Sequence, residues 1–237
     1  MPSFGEPLPD WTPPAPPQPT RLDGISVRLE PLVPAHAPAL FAANRESDAI
    51  WDYLPYGPFG EEAEYVAWVT SVAGKADPMF FTVIDTATGL PGGVMSFLRI
   101  TPASGSIEVG HICLAPRLQR TRAASEAIYL MADWSFANGY RRFEWKCDAL
   151  NLPSRRAAER FGFSYEGVFR QATVVKGRNR DTAWFAMTDG DWRCLAPAWR
   201  TWLDPANFDA DGRQQQRLGD LTAPCRVSAD PSRAEAG

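Results

Sequence analysis

The chain has 237 residues, of which 45% are hydrophobic and 22% are charged, proportions typical of a globular protein with one substantial core. Its net charge of −4 argues against a general nucleic-acid-binding protein, because such a protein needs a basic face. No stretch approaches the roughly 18 apolar residues of a membrane span, and the N-terminus lacks the pattern of a secretory signal, so we expect a cytoplasmic protein without membrane attachment.

The cysteines favour the same compartment. None of the four, which are Cys113, Cys147, Cys194 and Cys225, has the spacing of paired metal ligands. Cys113 and Cys147 lie in apolar, strand-like stretches, where a cysteine serves as a small core residue. We therefore predict a reduced protein that binds no metal.

Residues 1–23 are predicted to form a proline-rich arm outside the core. Eight of the 22 prolines fall within residues 1–20, and such a composition favours extended chain over helix or sheet. Phe4 and Trp11 are the side chains that would pin this arm to the folded body.

Strand and helix patterns then alternate through residues 24–207, which we predict to be one domain. Strand patterns cover residues 25–30, 79–84, 94–100, 107–114, 143–147, 163–170 and 182–187. Helix patterns cover residues 34–44, 61–73, 119–137, 151–161 and 192–203. The strand at 143–147 follows a crossover helix and should pair parallel to that at 107–114, whereas short turns join the others into antiparallel pairs. After residue 207 the sequence turns polar, so 208–237 is predicted to be mostly a tail.

Two loops carry residues suited to ligand binding. The first holds four aromatic residues among prolines and glycines: Trp51, Tyr53, Tyr56 and Phe59. The second holds three cations: Lys176, Arg178 and Arg180. The aromatic rings either wall a pocket or pack over the core, and the cations either recognise a carboxylate or phosphate or form a solvated tip.

One strand-to-helix turn is unusually basic. Arg117, Arg120 and Arg122 crowd it, and no acidic residue lies between Glu108 and Glu126. Cations at a helix N-terminus oppose the helix dipole, whereas the backbone N–H groups there attract anions. Either a polyanion sits among these arginines, or the turn is an ordinary helix start with solvated side chains.

Three motifs accompany this order of elements: Gln119-x-x-Arg122-x-Ala124 after a strand, Asn151-x-x-Ser154 ahead of Gly162-Phe163, and Glu108-Val109-Gly110-His111 before the basic turn. Over about residues 24–205 the chain resembles the GNAT family of acetyl-CoA-dependent N-acetyltransferases, and within it the RimJ/RimL-type branch. The resemblance implies an α+β fold with a mixed, mostly antiparallel sheet of about seven strands flanked by helices. It also implies that a splayed parallel strand pair holds acetyl-CoA.

The resemblance assigns cofactor-binding positions. They are the strand residues Ile112 and Leu114, the turn residues Gln119, Arg120, Thr121, Arg122, Ala123 and Ala124, and Asn151 near the thioester. Arg122 stands where the family has glycine, and its guanidinium either contacts phosphate or narrows the approach of the backbone to the ligand. Asn151 is alternatively a helix cap without a catalytic role.

The resemblance also implies catalytic residues. Many family members have a tyrosine seven residues after the asparagine, but here that position is Ala158, which leaves Ser154 as the proton donor. From its sequence context Glu108 is the expected base, because an apolar strand should raise the pKa of a carboxyl group. Alternatively, Glu108 is a structural carboxylate hydrogen-bonded within the sheet, and water accepts the proton. His111 is the alternative base, although regular alternation puts it on the opposite face from Glu108 unless a bulge intervenes.

These assignments predict an enzyme that moves an acetyl group from acetyl-CoA to a primary amine by direct attack, without an acyl-enzyme or a metal. The acceptor is a peptide or protein N-terminus, an amino acid or another small amine, and Trp51, Tyr53 and Tyr56 would wall its pocket. A homodimer is compatible with the resemblance. The alternative is a non-catalytic acyl-CoA-binding sensor, favoured by Arg122 and Ala158 at positions where the family has glycine and tyrosine.

Overall fold

The computed structural model describes residues 3–232, and one sheet of eight strands runs through it. The strands are β1 (Leu22–Asp23), β2 (Val27–Pro31), β3 (Met79–Asp85), β4 (Pro91–Thr101), β5 (Ser106–Leu114), β6 (Arg142–Asp148), β7 (Ser164–Val175) and β8 (Arg178–Thr188). The helices are α1 (Ala37–Asn44), α2 (Glu62–Val72), α3 (Arg122–Ala137), α4 (Leu152–Phe161), α5 (Asp189–Leu203) and α6 (Leu218–Thr222). The strand order is β1-β2-β3-β4-β5-β6-β8-β7.

Only β5 and β6 pair in parallel, and every other neighbouring pair in the sheet is antiparallel. This arrangement confirms the predicted α+β fold class and the parallel pair, which the crossover through α3 requires. The sheet has eight strands instead of about seven because Leu22 and Asp23 pair with β2. A strand of two residues is too short to show alternation in the sequence.

The two faces of the sheet carry separate apolar clusters. Helices α3 to α6 cover one face, where Trp199 and Phe143 are fully buried. Helices α1 and α2 and the aromatic loop cover the other face, where Leu40 and Tyr65 are fully buried. We call these the α3–α5 face and the α1–α2 face.

The parallel strands β5 and β6 separate after a short paired region. Their register runs from Ser106 opposite Arg142 to Val109 opposite Trp145 and then ends. From Gly110 onward β5 remains paired only with β4. The chain therefore has the splayed parallel pair that the resemblance implies, with unpaired backbone groups along the opening.

The N-terminal arm has no regular structure before β1, and part of it lies on the domain. Tyr140 donates its hydroxyl hydrogen to the carbonyl of Ala15 at 3.3 Å, and the guanidinium of Arg141 lies 5.8 Å from the ring centroid of Trp11. Phe4, in contrast, is 88% exposed. Of the two aromatic residues expected to pin the arm, Trp11 contacts the body and Phe4 does not.

The described part of the C-terminal segment, residues 208–232, differs from the polar tail that its composition suggests. It forms α6 and buries Leu218 to 1% exposure. Two ion pairs join it to α4, between Arg155 and Asp230 at 2.6 Å and between Arg226 and Glu159 at 2.7 Å. Charged side chains hold most of this segment in place, which is why its low apolar content conceals the packing.

The cysteines also differ from the expected reduced state. Cys194 on α5 and Cys225, which follows α6, form a disulfide across 31 residues. Cys113 and Cys147 are free and buried, in agreement with their prediction as core residues. The disulfide joins positions without a recognisable spacing, and only the packing of α6 against α5 brings them together.

Candidate active site

The turn between β5 and α3 has the geometry of an oxyanion cradle. The helix begins at Arg122, three residues later than its sequence pattern suggests, and the Thr121 hydroxyl caps it by accepting the N–H of Ala124 at 3.1 Å. Arg120 adopts a left-handed φ of 61° just before the cap. The N–H groups of Arg122 and Ala123 stand in the first helical turn, where the helix itself supplies no acceptor. These donors fit a pyrophosphate.

Two of the three arginines of this turn bind backbone carbonyls in different parts of the chain. Arg117 donates to the carbonyl of Pro91, and Arg122 donates to the carbonyl of Leu203. The Arg122 guanidinium also lies 4.4 Å from the ring centroid of Phe208. Its side chain is therefore committed to the C-terminal segment, and at the cradle Arg122 offers its backbone.

Several of the predicted cofactor-binding residues make contacts that support the turn between β5 and α3. Gln119 donates its side-chain amide to the carbonyl of Leu114 at 2.8 Å, which ties the turn to the end of β5. Ala123 and Ala124 are buried, and the half-buried Ile112 and Leu114 pack at the edge of the α3–α5 cluster. The small side chains of α3 let the helix start lie close to the sheet.

A basic cavity of about 460 Å³ lies between α4 and α6. Its lining residues are Arg156, Glu159, Arg160, Gly219, Asp220, Ala223 and Arg226. Arg160 donates to the hydroxyl of Ser125, one turn into α3, and burial lowers the pKa of Arg160. The i, i+4 spacing of Arg156 and Arg160 was the signal in the sequence, but only α6 turns this helix surface into a cavity.

Asn151 and Ser154 lie at the start of α4, beside the opening between β5 and β6. The Asn151 side chain accepts the backbone N–H of Ser154 at 3.1 Å and thus caps the helix. The Ser154 hydroxyl accepts a hydrogen bond from the indole of Trp145 at 3.1 Å. Burial raises the pKa of the Cys147 thiol to about 11, and its hydrogen bond with Ser154 acts in the opposite direction. Ala158 is fully buried.

A β-bulge brings Glu108 and His111 to the same face of the sheet. The register between β4 and β5 shifts between Val94 and Ser96, and His111 takes a left-handed φ of 51° there. The His111 ring lies 5.0 Å from that of Phe80, which is on the α1–α2 face. Glu108 shares that face with Gly110 two residues later. The structure therefore contains the bulge on which a joint role of these residues depended.

Glu108 is almost fully buried and is bound by two cations. Arg99 Nη1 lies 2.8 Å from both carboxylate oxygens, and Lys146 Nζ lies 2.9 Å from Oε2. Lys146 is 6% exposed, also pairs with Glu144 at 2.8 Å, and lies 3.7 Å from the ring centroid of Trp184. Burial raises the pKa of Glu108, and the two cations act in the opposite direction.

His111 is an uncharged imidazole at neutral pH. Its ring stacks on Tyr56, with centroids 5.6 Å apart and an interplanar angle of 21°. Burial, together with the charges of Arg99 and Arg180 and against the effect of Asp77, lowers the pKa of His111 to about 4. The ring can accept a proton but does not carry one in the resting protein.

The aromatic loop covers this part of the sheet. Tyr53 donates its hydroxyl hydrogen to the carbonyl of Leu150 at 3.3 Å, and Lys176 at the β7–β8 turn donates to the carbonyl of Trp51 at 2.8 Å. The Trp51 ring itself is buried in the core. Of the three predicted pocket residues, Tyr53 and Tyr56 border the site, and Trp51 supports it from below.

Several residues of the site were missed in the sequence. They are Asp77, Arg99 and Lys146, whereas Arg180 was among the cations expected to recognise an anion. The available signal was the four charged residues that alternate with apolar ones along β6, since a central strand seldom carries so many charges on one face. This pattern does not show which residues of the neighbouring strands contact these charges, because those contacts depend on the strand register.

Two further features are absent from residues 3–232. This part of the chain contains no group of three or more His, Cys, Asp or Glu side chains placed to hold a metal ion. It also has no helix with the length and apolar content needed to cross a bilayer.

Comparisons with known proteins place this architecture in a family. A model described as "Acetyltransferase (GNAT) domain" matches residues 26–164, and the search of curated proteins gave no match. A GCN5-related N-acetyltransferase from Brucella melitensis is 44% identical, with a TM-score of 0.89 over 91% of this chain and 100% of its own. A probable acetyltransferase (GNAT family) from Chromobacterium violaceum is 38% identical, with a TM-score of 0.76 over 81% of this chain and 98% of its own.

A more distant similarity is limited to the fold. RimL, a ribosomal L7/L12 α-N-protein acetyltransferase, is 22% identical, with a TM-score of 0.62 over 71% of this chain and 94% of its own. The family model covers more than half of the chain, and the similarity to the Brucella protein extends over all of that protein and 91% of this chain. The chain therefore belongs to the GNAT family of acetyltransferases, which use acetyl-CoA as the acetyl donor.

Proposed function

We propose that this chain transfers the acetyl group of acetyl-CoA to a primary amine. The main support is the arrangement around the opening between β5 and β6. Ser154 lies on the α3–α5 side of this opening, where it bonds to Trp145, and Glu108 and His111 lie on the α1–α2 side. A donor and an acceptor of protons thus flank the gap from opposite sides, as acyl transfer from a thioester to an amine requires.

The proposed path of acetyl-CoA follows the cradle and the opening. The backbone of Ile112 and Leu114 would hold the pantetheine chain, and the N–H groups of Arg122 and Ala123 would hold the pyrophosphate. The basic cavity lies next to the first turn of α3, because Arg160 bonds to Ser125 there. It is therefore placed to receive the phosphorylated adenosine end of the molecule.

The proposed reaction is a direct displacement. Attack of the amine nitrogen on the acetyl carbonyl carbon forms the C–N bond and breaks the C–S bond. Glu108 accepts the proton that the amine loses, directly or through water, and Ser154 donates a proton to the departing sulfur and regains one from solvent water. An α-amine has a reference pKa of about 8, so a weak base suffices. His111 is the alternative acceptor of this proton, since its ring is uncharged.

The site also favours the reactive form of the acceptor. Arg99 and Arg180 lower the pKa of His111 through their charge. The same positive potential would lower the pKa of an amine bound beside His111, and only an unprotonated amine can attack.

We further propose an enzyme of the RimJ/RimL type that works in the cytoplasm, as a monomer or a homodimer, with the Cys194–Cys225 disulfide as an exception to the reduced state usual there. The strand motif from Glu108 to His111 and the similarity to the fold of RimL support the branch. The acceptor remains a peptide N-terminus, an amino acid or another small amine.

Release of free thiol from acetyl-CoA in the presence of an amine panel tests this function, with mass spectrometry to identify the acetylated product. We expect turnover with at least one amine and none without an acceptor. The rival function is a sensor that binds acyl-CoA without turning it over, favoured by the absence of a tyrosine at Ala158. Tight binding of acetyl-CoA in calorimetry, combined with no thiol release for any amine, would establish the sensor instead.

A further inference from the structure

Three buried hydrogen-bond donors around His111 and the Glu108–Lys146 pair have no partner within residues 3–232. They are the Tyr56 hydroxyl, Nε of Arg180 and the Trp184 indole nitrogen. Tyr56 stacks on His111, and Trp184 lies under Lys146, which binds Glu108. A buried donor without an acceptor is unfavourable, so three of them around one site indicate an acceptor that the chain does not supply.

Arg180 differs from the other cations of this face in having no acidic partner. Arg99 pairs with Glu108, and Lys146 pairs with Glu108 and Glu144. In the part of the chain that the structure describes, no carboxylate lies within ion-pair distance of Arg180. Its charge nevertheless acts on His111. Among the described residues near His111, Arg180 is therefore the cation without a carboxylate partner, while the carboxylate of Asp77 is held by the backbone N–H groups of Arg99 and Ile100.

The backbone around these donors is strained and held in place. His111 on β5 and Gln171 on β7 both have a left-handed φ, of 51° and 50°. The carboxylate of Asp181 fixes the second by accepting the N–H of Gln171 at 2.7 Å. This bulge lies beside Arg180, which pairs with Thr173. Such strain persists only where the fold over-determines it, and it is concentrated at ligand sites.

We propose that the acceptor carries an oxyanion, a carboxylate or a phosphate, close to its amine, and that Arg180 and Tyr56 bind this group. The inference rests on the proposed function, because it treats the α1–α2 side of the opening as the acceptor side. A guanidinium N–H and a phenol O–H suit a charged oxygen acceptor better than a neutral amide. The acceptor class is thus an amino acid or a similar small amino-anion.

Steady-state kinetics with three acceptors of the same carbon skeleton test the proposal. They are an aromatic amino acid, its carboxamide and the corresponding aminophosphonate. We expect kcat/KM to be about tenfold or more higher for one charged acceptor than for the carboxamide. A preference for the amino acid would identify the bound group as a carboxylate, and a preference for the aminophosphonate would identify it as a phosphate. Equal values, or a preference for the carboxamide, would overturn the proposal.

Substitutions test which residues cause the preference for the charged acceptor over the neutral one. Arg180→Gln and Tyr56→Phe should bring the ratio of charged to neutral kcat/KM close to one, and Arg180→Lys should retain part of it because the charge remains. Arg178→Gln is the matched control, since Arg178 is an exposed arginine two residues away on the same strand. An unchanged ratio in Arg180→Gln would overturn the assignment.

A binding experiment separates this inference from the proposed function. The N-acetylated amino acid cannot be acetylated again but retains its carboxylate, so its thermal stabilisation of the protein reports binding without turnover. We expect stabilisation by this compound, less by its carboxamide, and loss of the difference in Arg180→Gln. This pattern without acetylation of any amine would reject the transferase and keep the anion site. No difference between the two compounds would reject the anion site.

Discussion

Oε2 of Glu108 lies 2.9 Å from Nζ of Lys146, and the same ammonium group lies 2.8 Å from Glu144. The two glutamates face each other across the parallel strands β5 and β6, so one lysine pairs with both, and Arg99 and Arg142 supply the further positive charge. Glu108 is therefore both a candidate base and a member of an ion network, and substitutions must separate these roles.

Glu108→Gln should lower kcat by about 100-fold or more if Glu108 accepts the proton of the amine. Burial raises the pKa of Glu108, so on acidification the parent should lose activity at a higher pH than the ordinary pKa of a glutamate would give. This acid limb of the pH–rate profile should be absent from the variant. Glu144→Gln removes the other partner of Lys146 and should leave kcat within a few-fold. A Glu108→Gln variant with the parent's kcat would show a structural carboxylate, and His111→Phe would then be the variant expected to lose rate.

His111 should make the protein less stable in mild acid. Its pKa is about 4 in the folded chain, against an ordinary value of 6.5. Between these values the unfolded chain binds more protons, so stability decreases as the pH falls through this window and is unaffected by His111 above it. The Tm of the parent should therefore fall more steeply from pH 6.5 to 4 than that of His111→Phe, which retains an aromatic ring. Parallel curves would show that His111 titrates normally.

Ser154→Ala should lower kcat and kcat/KM together, with little change in acetyl-CoA affinity. The hydroxyl stabilises negative charge that develops on sulfur only in the transition state, and such help is worth about 100-fold or more. An acetyl thioester with a more acidic thiol should rescue the variant. Turnover of acetyl-CoA at the parent's rate would show that water or the acceptor protonates the sulfur.

Arg160→Ala should weaken the binding of coenzyme A by about tenfold or more and that of dephospho-coenzyme A much less, because a charge-assisted contact to the terminal phosphate is lost. Arg122→Ala is the comparison. Its guanidinium lies on Phe208, so we expect a lower Tm and equal affinity changes for both ligands. Calorimetry measures both. If Arg122→Ala instead weakened the binding of coenzyme A more than that of dephospho-coenzyme A, Arg122 would contact phosphate, as the sequence suggested.

Deletion of residues 208–237 should lower the Tm by about 10 °C or more, because it leaves the buried Arg155 and Glu159 without Asp230 and Arg226. Deletion of residues 1–10 is the control and should change the Tm by only about 2 °C or less, since Phe4 is exposed. Thermal unfolding of both variants decides this. An unchanged Tm in the first would mean that the segment is dispensable, as its composition suggests.

The limits of sequence reasoning are clearest on β5. The order of elements, the parallel pairing with β6 and the helix start near Thr121 follow from periodicity, turn residues and crossover rules, all of which act locally. The bulge at His111 does not follow from them. An extra residue in one strand depends on the partner strand, and regular alternation put His111 on the wrong face.

The amino-acid sequence by itself determined the family, the fold class and the position of the cradle, because each depends on patterns within a few dozen residues. The tertiary structure alone decided the direction of long charged side chains. Arg122 faces Phe208 instead of the cradle, and Arg155 holds Asp230 across 75 residues of chain. A flexible guanidinium finds its partner by proximity in space, and neither residue spacing nor composition encodes that proximity.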